Sequence, residues 1–407
     1  MKKNYVIRKK CVLCQSSKLK KVLDFKKTPL ANSYVKSPRS KEKFYPLICL
    51  ICSVCKHLQL KYLVKPEIIF KDYIYVSGTS PILVQHFENY FKKIKKSIKL
   101  EKSKDKILDI ACNDGTFLNF FVKDKFKNVV GIEPARNLRY LNKLKGIDIK
   151  TTFFNHKNSF LFKKKYKEFK IITANNVFAH VPNLKDFALG VKNILSKDGV
   201  FIFEVSYLKD VIKKMTFDTI YHEHMSYHSL KPLINFFRSL KLDVLDFDLI
   251  KAQGGSIRVY VGHLGRKTNS LKIKKQIEIE KKSGLFNKKT FNNYFKNIIK
   301  YKKKLKKLVN NIKENKKVLV GYGSPAKVTT FTYVFELSNK DIKFIVDDNK
   351  LKQGKLTPGK NIKITNFEQL HKSKFDYIVI LAWNFSESII FKLNKTFKKR
   401  RFKIIIP

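Results

Sequence analysis

Apolar positions along this chain follow two periods in alternation. From Ile82 to Ile98 they recur at helical spacing, at Leu83, Phe87, Phe91, Ile94 and Ile98, which predicts a helix. Short apolar runs bounded by turn residues then predict strands: Ile107–Ile110, Val129–Ile132, Phe169–Ala174 and Gly199–Val205. Phe117–Val122 reads as the helix after the first run, and Leu242–Leu249 and Ile257–Val261 read as two late strands. Strand–helix alternation closed by a strand pair suits a seven-stranded, mostly parallel sheet. Further on, Leu271 to Lys317 is Lys-rich and free of Pro, and reads as one or two amphipathic helices with Phe291, Phe295, Ile298 and Leu305 turned inward. Val318–Val320, Ile342–Val346 and Tyr377–Leu381 then predict a second, smaller α/β sheet. The 407 residues are too many for one core, and two or three domains are expected.

Charge changes this picture little. The formal net charge of +55 looks at first like a nucleic-acid signature, but only nine of 87 basic residues are Arg. Lys spread along the whole chain resembles a compositional bias more than a phosphate track, which favours Arg forks. No specific nucleic-acid partner is expected. No apolar run reaches the roughly 18 residues of a membrane span, and Met1–Tyr5 has no apolar stretch behind it, so the expected location is the cytoplasm, with no membrane partner.

Cysteine usage adds a module the hydrophobic pattern does not show. Cys11-x-x-Cys14 and Cys52-x-x-Cys55 are two knuckles whose four thiolates can close a tetrahedron around zinc. Cys49-x-x-Cys52 is an equally spaced alternative. Cys52 with Cys55 is preferred, because Cys55-Lys56-His57-Leu58-Gln59-Leu60 reads as a turn entering a strand. Four protein ligands leave no position for a water, so the zinc is expected to be structural.

The first strand of the large sheet runs into Asp109-Ile110-Ala111-Cys112-Asn113-Asp114-Gly115, and the second ends in Glu133. A strand, a small-residue turn, a helix and a strand-terminal acid form a nucleotide-binding unit, in which the acid meets ribose hydroxyls. Ala111 and Asn113 occupy two glycine slots of the dinucleotide fingerprint and only Gly115 remains. That favours S-adenosylmethionine, which has no phosphate at the turn, over a dinucleotide. Asn175-Asn176-Val177-Phe178-Ala179-His180 follows the fourth strand, where ligands of such sheets sit. In the small domain, Val320-Gly321-Tyr322-Gly323-Ser324-Pro325-Ala326-Lys327 reads as strand, turn and helix start. Pro325 is expected in the first helical turn, with backbone N–H groups and Lys327 available to a phosphate, or as a plain βα turn. Trp383 stands at a strand's carboxyl end.

The densest chemistry lies in Tyr221-His222-Glu223-His224-Met225-Ser226-Tyr227-His228, which holds three of the nine His. Such residues move protons near neutrality, although buried His is often structural. The H-E-x-x-H metal pattern fails at Ser226. Tyr221–His224 follows the fifth strand, at the mouth of the cofactor site, whereas Tyr227 and His228 are assigned to a following turn.

These motifs in order resemble the nucleotide-sugar C3-methyltransferase family, three-domain enzymes with a zinc-binding N-terminal domain that methylate nucleotide-linked 4-keto-deoxy sugars. The resemblance rests on Cys52–Leu60, Ile107–Gly115, Tyr221–His224, Gly254–Arg258, Pro325–Lys327, Lys352–Lys355 with Pro358-Gly359, and Ala382–Asn384. It implies a zinc domain at 1–72, a class I S-adenosylmethionine methyltransferase domain with a seven-stranded Rossmann-like sheet at 73–265, and a Rossmann-like nucleotide-sugar domain at 266–407. It implies an active site of Tyr221, His222, Glu223 and His224 with Tyr75 and His180. His224 is then the base at C3, Glu223 orients or polarises, and Tyr221, His222 or His180 donates to the C4 oxygen. Asp109, Ala111, Asn113, Gly115, Glu133 and Asn176 are expected at the cofactor, and Lys327 and Trp383 at the substrate. The expected partner is a nucleotide sugar, and the expected state is a monomer. Ala111 departs mildly from the family's Gly, and Val328 follows Lys327 where Gly is usual. Methylation of RNA or of another small molecule, or a scaffold of the same fold without catalysis, are the alternative readings.

Overall fold

The computed structural model describes residues 4–70, 73–138, 146–398 and 400–407. Met1–Lys3 and the expected domain edge at Asp72 lie outside the described residues. The chain divides into two compact units, each made of separated segments. The first comprises 1–21, 49–213 and 224–287, and the second comprises 22–48, 214–223 and 288–407. The Tyr-His-Glu-His run is cut by this division: Tyr221, His222 and Glu223 belong to the second unit and His224 to the first.

The first unit is built on a seven-stranded sheet: β1 (Lys106–Ile110), β2 (Asn128–Ile132), β3 (Ile147–Lys150), β4 (Phe169–Asn175), β5 (Leu195–Ser206), β6 (Leu242–Ile250) and β7 (Ser256–His263). Their order is β6-β7-β5-β4-β1-β2-β3. Only β7 runs against its neighbours. β1 and β4 are side by side, with Asp109 opposite Thr173, so the order reverses between them and a crevice opens beyond their carboxyl ends. Helix α1 (Pro81–Ser97) buries Leu83, Phe87, Tyr90, Phe91 and Ile94 at the predicted spacing, with Ser80 capping its N-terminus. Helix α2 (Thr116–Lys123) follows β1.

Cysteine-module residues share the core on the opposite face. Cys11, Val12, Leu13 and Cys52 pack in one buried cluster with Leu108, Ile172 and Phe203. The strand Leu58–Leu60 pairs with Cys49–Ile51 on one side and, through Leu58 and Gln59, with Ser226–Tyr227 on the other. Tyr227 is therefore in a strand and not in the expected turn. His228, fully buried, packs against Phe178 and His57, with ring centroids 5.4 and 5.2 Å away. Pairing to a strand about 170 residues earlier is long-range information that local turn propensity does not carry.

The second unit centres on a five-stranded parallel sheet: β8 (Leu319–Tyr322), β9 (Ile345–Val346), β10 (Ile364–Thr365), β11 (Tyr377–Ile380) and β12 (Lys403–Ile405), ordered β10-β9-β8-β11-β12. The 27-residue helix α3 (Lys288–Glu314) buries Phe291, Tyr294, Ile298, Leu305, Val309 and Ile312 and turns its Lys residues outward. Helix α4 (Val328–Phe335) begins later than expected. Pro325 lies ahead of it, in a turn whose carbonyls take the helix's first N–H groups: Val328 N–H donates to Pro325 O and Thr329 N–H to Ala326 O. The Val328 and Thr329 N–H groups are thus paired within the turn. Gly323 also has a packing reason. Its φ is +83°, and a Cβ there would stand 2.3 Å from Ala382 Cβ.

Candidate active site

Asp109 ends β1 buried, and its Oδ1 accepts from Thr173 Oγ1 at 2.6 Å. Burial, partly offset by Thr173 and reinforced by nearby Glu133, pushes its carboxyl up to about 7. The turn after β1 is left-handed at Ala111 (φ 57°), Asn113 (φ 55°) and Gly115 (φ 76°). Ala111 thus holds a backbone conformation that favours Gly, at a cost of about 1–2 kcal/mol for an L-residue. Glu133, past β2, accepts Asn113 N–H at 2.8 Å and Ala135 N–H at 2.8 Å, and burial raises its pKa. Asn176 is left-handed too (φ 57°), and its N–H donates to Glu204 O at 2.8 Å. An acid at each strand end and a backbone turn between them fit S-adenosylmethionine, which Asp109, Ala111, Asn113, Gly115, Glu133 and Asn176 would hold.

Beyond β4, His180 stacks on Phe70 (5.6 Å, 10° between planes) and meets His224 (5.0 Å between ring centroids). Burial, and then His224, hold the His180 pKa well below its ordinary value, so this imidazole is neutral at physiological pH. Its Nε2 has no partner among the described residues. The two His loops are tied together behind the rings: Met225 N–H donates to Ala179 O at 2.8 Å, and Leu60 N–H to Met225 O at 3.0 Å. Arg8, buried, donates to Pro182 O at 3.0 Å and to Gln59 Oε1 at 3.1 Å, and Gln59 Oε1 also accepts Val12 N–H at 2.9 Å. The cysteine module therefore braces the segments that carry His180 and His224. Tyr75, 38% exposed, lies in the loop before α1.

In the second unit His222 is buried and donates its Nε2–H to Tyr45 O at 3.2 Å. Burial lowers its pKa to about 4, so it is neutral and its single N–H is engaged. Asn32 Nδ2 donates to Glu223 Oε1 at 2.6 Å. A side chain 191 residues from its partner leaves no local sequence signal, and Asn32 was not anticipated. Asn32→Ala is expected to lower kcat about tenfold by removing a hydrogen bond that positions the Glu223 carboxylate, with little change in thermal unfolding, as steady-state rates and calorimetry would show. Lys327, 8% exposed, donates to Asn384 Oδ1 at 2.8 Å and stands 3.3 Å from the centroid of the Trp383 ring. Trp383 Nε1–H donates to buried Asp218 Oδ2 at 2.7 Å. Burial, opposed by Asp218, lowers the Lys327 pKa to about 8.

Cys11, Cys14, Cys52 and Cys55 bring four sulfurs within 4.8 Å of one another. The Cys11–Cys55 and Cys14–Cys52 separations are 3.5 and 3.6 Å. Tetrahedral zinc with thiolates at about 2.3 Å spaces its sulfurs about 3.8 Å apart, so the four fit the metal. Cys49 is outside the cluster, and burial pushes its thiol up, which resolves the choice of register. No helix among the described residues is long and apolar enough to cross a membrane.

Known proteins match along nearly the whole length. Residues 11–70 match a family described as a zinc binding domain, 84–246 a methyltransferase domain, and 251–407 the C-methyltransferase C-terminal domain. The C-methyltransferase NovU of Streptomyces niveus is 28% identical over 404 residues, which is 98% of this chain and 94% of that protein. Solved structures with partial similarity include a SAM-dependent methyltransferase from Anabaena variabilis (12% identity, 43% of this chain, 83% of that one, TM-score 0.35). Another is an S-adenosylmethionine-dependent methyltransferase from Clostridium acetobutylicum (16% identity, 44% and 98%, TM-score 0.32). With a zinc-binding, a methyltransferase and a C-methyltransferase C-terminal domain in succession, and a C-methyltransferase as full-length relative, the chain belongs to the S-adenosylmethionine-dependent C-methyltransferases.

Proposed function

We propose that this C-methyltransferase acts on a nucleotide-linked, thymidine diphosphate-type 4-keto-deoxy sugar at C3, with domains at 1–72, 73–265 and 266–407. The observation that carries the reading is the meeting of His224 with His180, 5.0 Å apart, just past β4 and on the side of the sheet where the cofactor turn lies. A ketone at C4 acidifies the C3 proton, and a positioned imidazole can take it. His224 is the base. Glu223, held by Asn32, orients the sugar. Negative charge then develops on the C4 oxygen, and Tyr221 or His180 donates to it. His222 is a poorer donor than either, because its N–H is already on the Tyr45 carbonyl. Bound S-adenosylmethionine supplies an electrophilic methyl group. Tyr75 completes the site next to the cofactor turn.

Lys327, flanked by Trp383, takes the diphosphate through its side chain alone. Its depressed pKa gives the test a sign. Below about pH 8 the amine is cationic and attracts the diphosphate, and above it the charge is lost. KM for the nucleotide sugar is expected to rise by about tenfold per pH unit above that point. In Lys327→Met the KM should be high at neutral pH and flat across the range. A KM unchanged by the substitution removes Lys327 from the substrate site.

A further inference from the structure

The residues from Tyr73 to Thr79, ahead of α1, make polar contacts with two loops, the turn after β1 and the loop after β2. Asn137, four residues past Glu133, pairs its side-chain amide with the Tyr73 backbone. Its Oδ1 accepts Tyr73 N–H at 2.9 Å and its Nδ2 donates to Tyr73 O at 2.7 Å. Asn113, in the turn after β1, does the same further along. Its Oδ1 accepts Ser77 N–H at 2.9 Å and its Nδ2 donates to Tyr75 O at 3.0 Å. Gly78 N–H donates to Asp114 Oδ2 at 2.8 Å. Tyr73 and Val76 pack on Ala135 and Leu138, apolar residues of the loop that starts at Glu133. Gly78 fits closely: a Cβ there would stand 2.6 Å from Asp114 Oδ2 and 2.8 Å from Thr116 Oγ1.

We propose that Tyr73–Thr79 is a strap docked across the two cofactor loops, closing over S-adenosylmethionine, and that Asn137 is the positioning residue that fixes Tyr75 through it. Paired side-chain amides mimic a strand ladder, so the strap can add to the cofactor loops without belonging to the sheet. Cofactor that orders Asn113 and the Glu133 loop also orders the strap, and with it Tyr75. The part played by Tyr75 rests on the function proposed above, whereas the docking does not.

Two measurements on the full chain separate these. The first is hydrogen exchange of the 73–79 amides with and without S-adenosylhomocysteine. In the wild-type protein the ligand is expected to slow exchange at Ser77 and Gly78 by about tenfold or more, and in Asn137→Ala most of that protection is lost. Exchange indifferent to the ligand in wild type, or equal protection in Asn137→Ala, overturns the strap. The second is a double-mutant cycle with Tyr75→Phe. Asn137→Ala alone is expected to lower kcat/KM for the sugar about tenfold, and to add little to Tyr75→Phe. Losses that multiply overturn Asn137 as a residue acting through Tyr75. If Tyr75→Phe is as active as wild type, the reading of Tyr75 fails, and the exchange arm still decides the strap.

Discussion

His224→Asn is expected to lower kcat by about 10²–10⁴-fold, the usual contribution of a positioned base, with S-adenosylhomocysteine affinity unchanged. Asn keeps a polar side chain of similar reach, and the backbone on either side is held independently. Met225 N–H is on Ala179 O and Leu60 N–H is on Met225 O, so the fold should survive the change. The step itself is read by following the C3 proton of the keto sugar into deuterated solvent without S-adenosylmethionine. Wild-type enzyme should exchange it, and His224→Asn should not. Exchange at the wild-type rate in the variant excludes His224 as base and turns attention to His180, the neutral imidazole 5.0 Å away. His222→Asn should cost far less, because that ring is buried, neutral and already hydrogen-bonded to Tyr45.

Cys52→Ser is expected to abolish zinc binding and, with it, the folded first unit, whereas Cys49→Ser should retain one zinc per chain. Metal analysis and thermal unfolding of the two variants check this. The effect is large because the knuckles are not an appendage. Val12 and Leu13 are buried in the same core as Leu108 and Ile172. The strand entered from Cys55 pairs with Ser226–Tyr227, two residues past His224. Arg8, held by Gln59, donates to Pro182 O in the loop after His180. Removing metal therefore leaves every reacting group on the chain but withdraws the framework behind His180 and His224. A folded, zinc-free enzyme whose activity tracks added metal would instead place zinc in the chemistry.

The sequence was most legible where the physics is local. Apolar runs gave six of the seven strands of the large sheet, whereas the edge strand β3, half-buried along its length, carries no such run. Two C-x-x-C spacings gave the metal cluster, and the geometry chose Cys52 with Cys55. Legibility failed where the cause is distant. Tyr227 becomes a strand only because Leu58 lies opposite it. Pro325 stands in a turn ahead of its helix, with its carbonyl taking the Val328 N–H, and the room at Gly323 is set by Ala382, distant in sequence. Asn32, Arg8 and Asn137 act through partners far along the chain, and nothing in their own neighbourhoods marks them. Within the Tyr-His-Glu-His run, burial separates the two imidazoles: His222 is fixed on a carbonyl and His224 is half-buried beside His180.

The most direct test of the proposed chemistry follows the methyl group itself. The enzyme is incubated with S-adenosylmethionine carrying a ¹³C-labelled methyl and a panel of nucleotide-linked 4-keto-deoxy sugars, with tRNA as a parallel acceptor, and the products are read by NMR. A new methyl bonded to C3, next to the ketone, is the predicted result. Label on an oxygen, label in the tRNA, or no transfer to any keto sugar by enzyme that binds S-adenosylmethionine would contradict it.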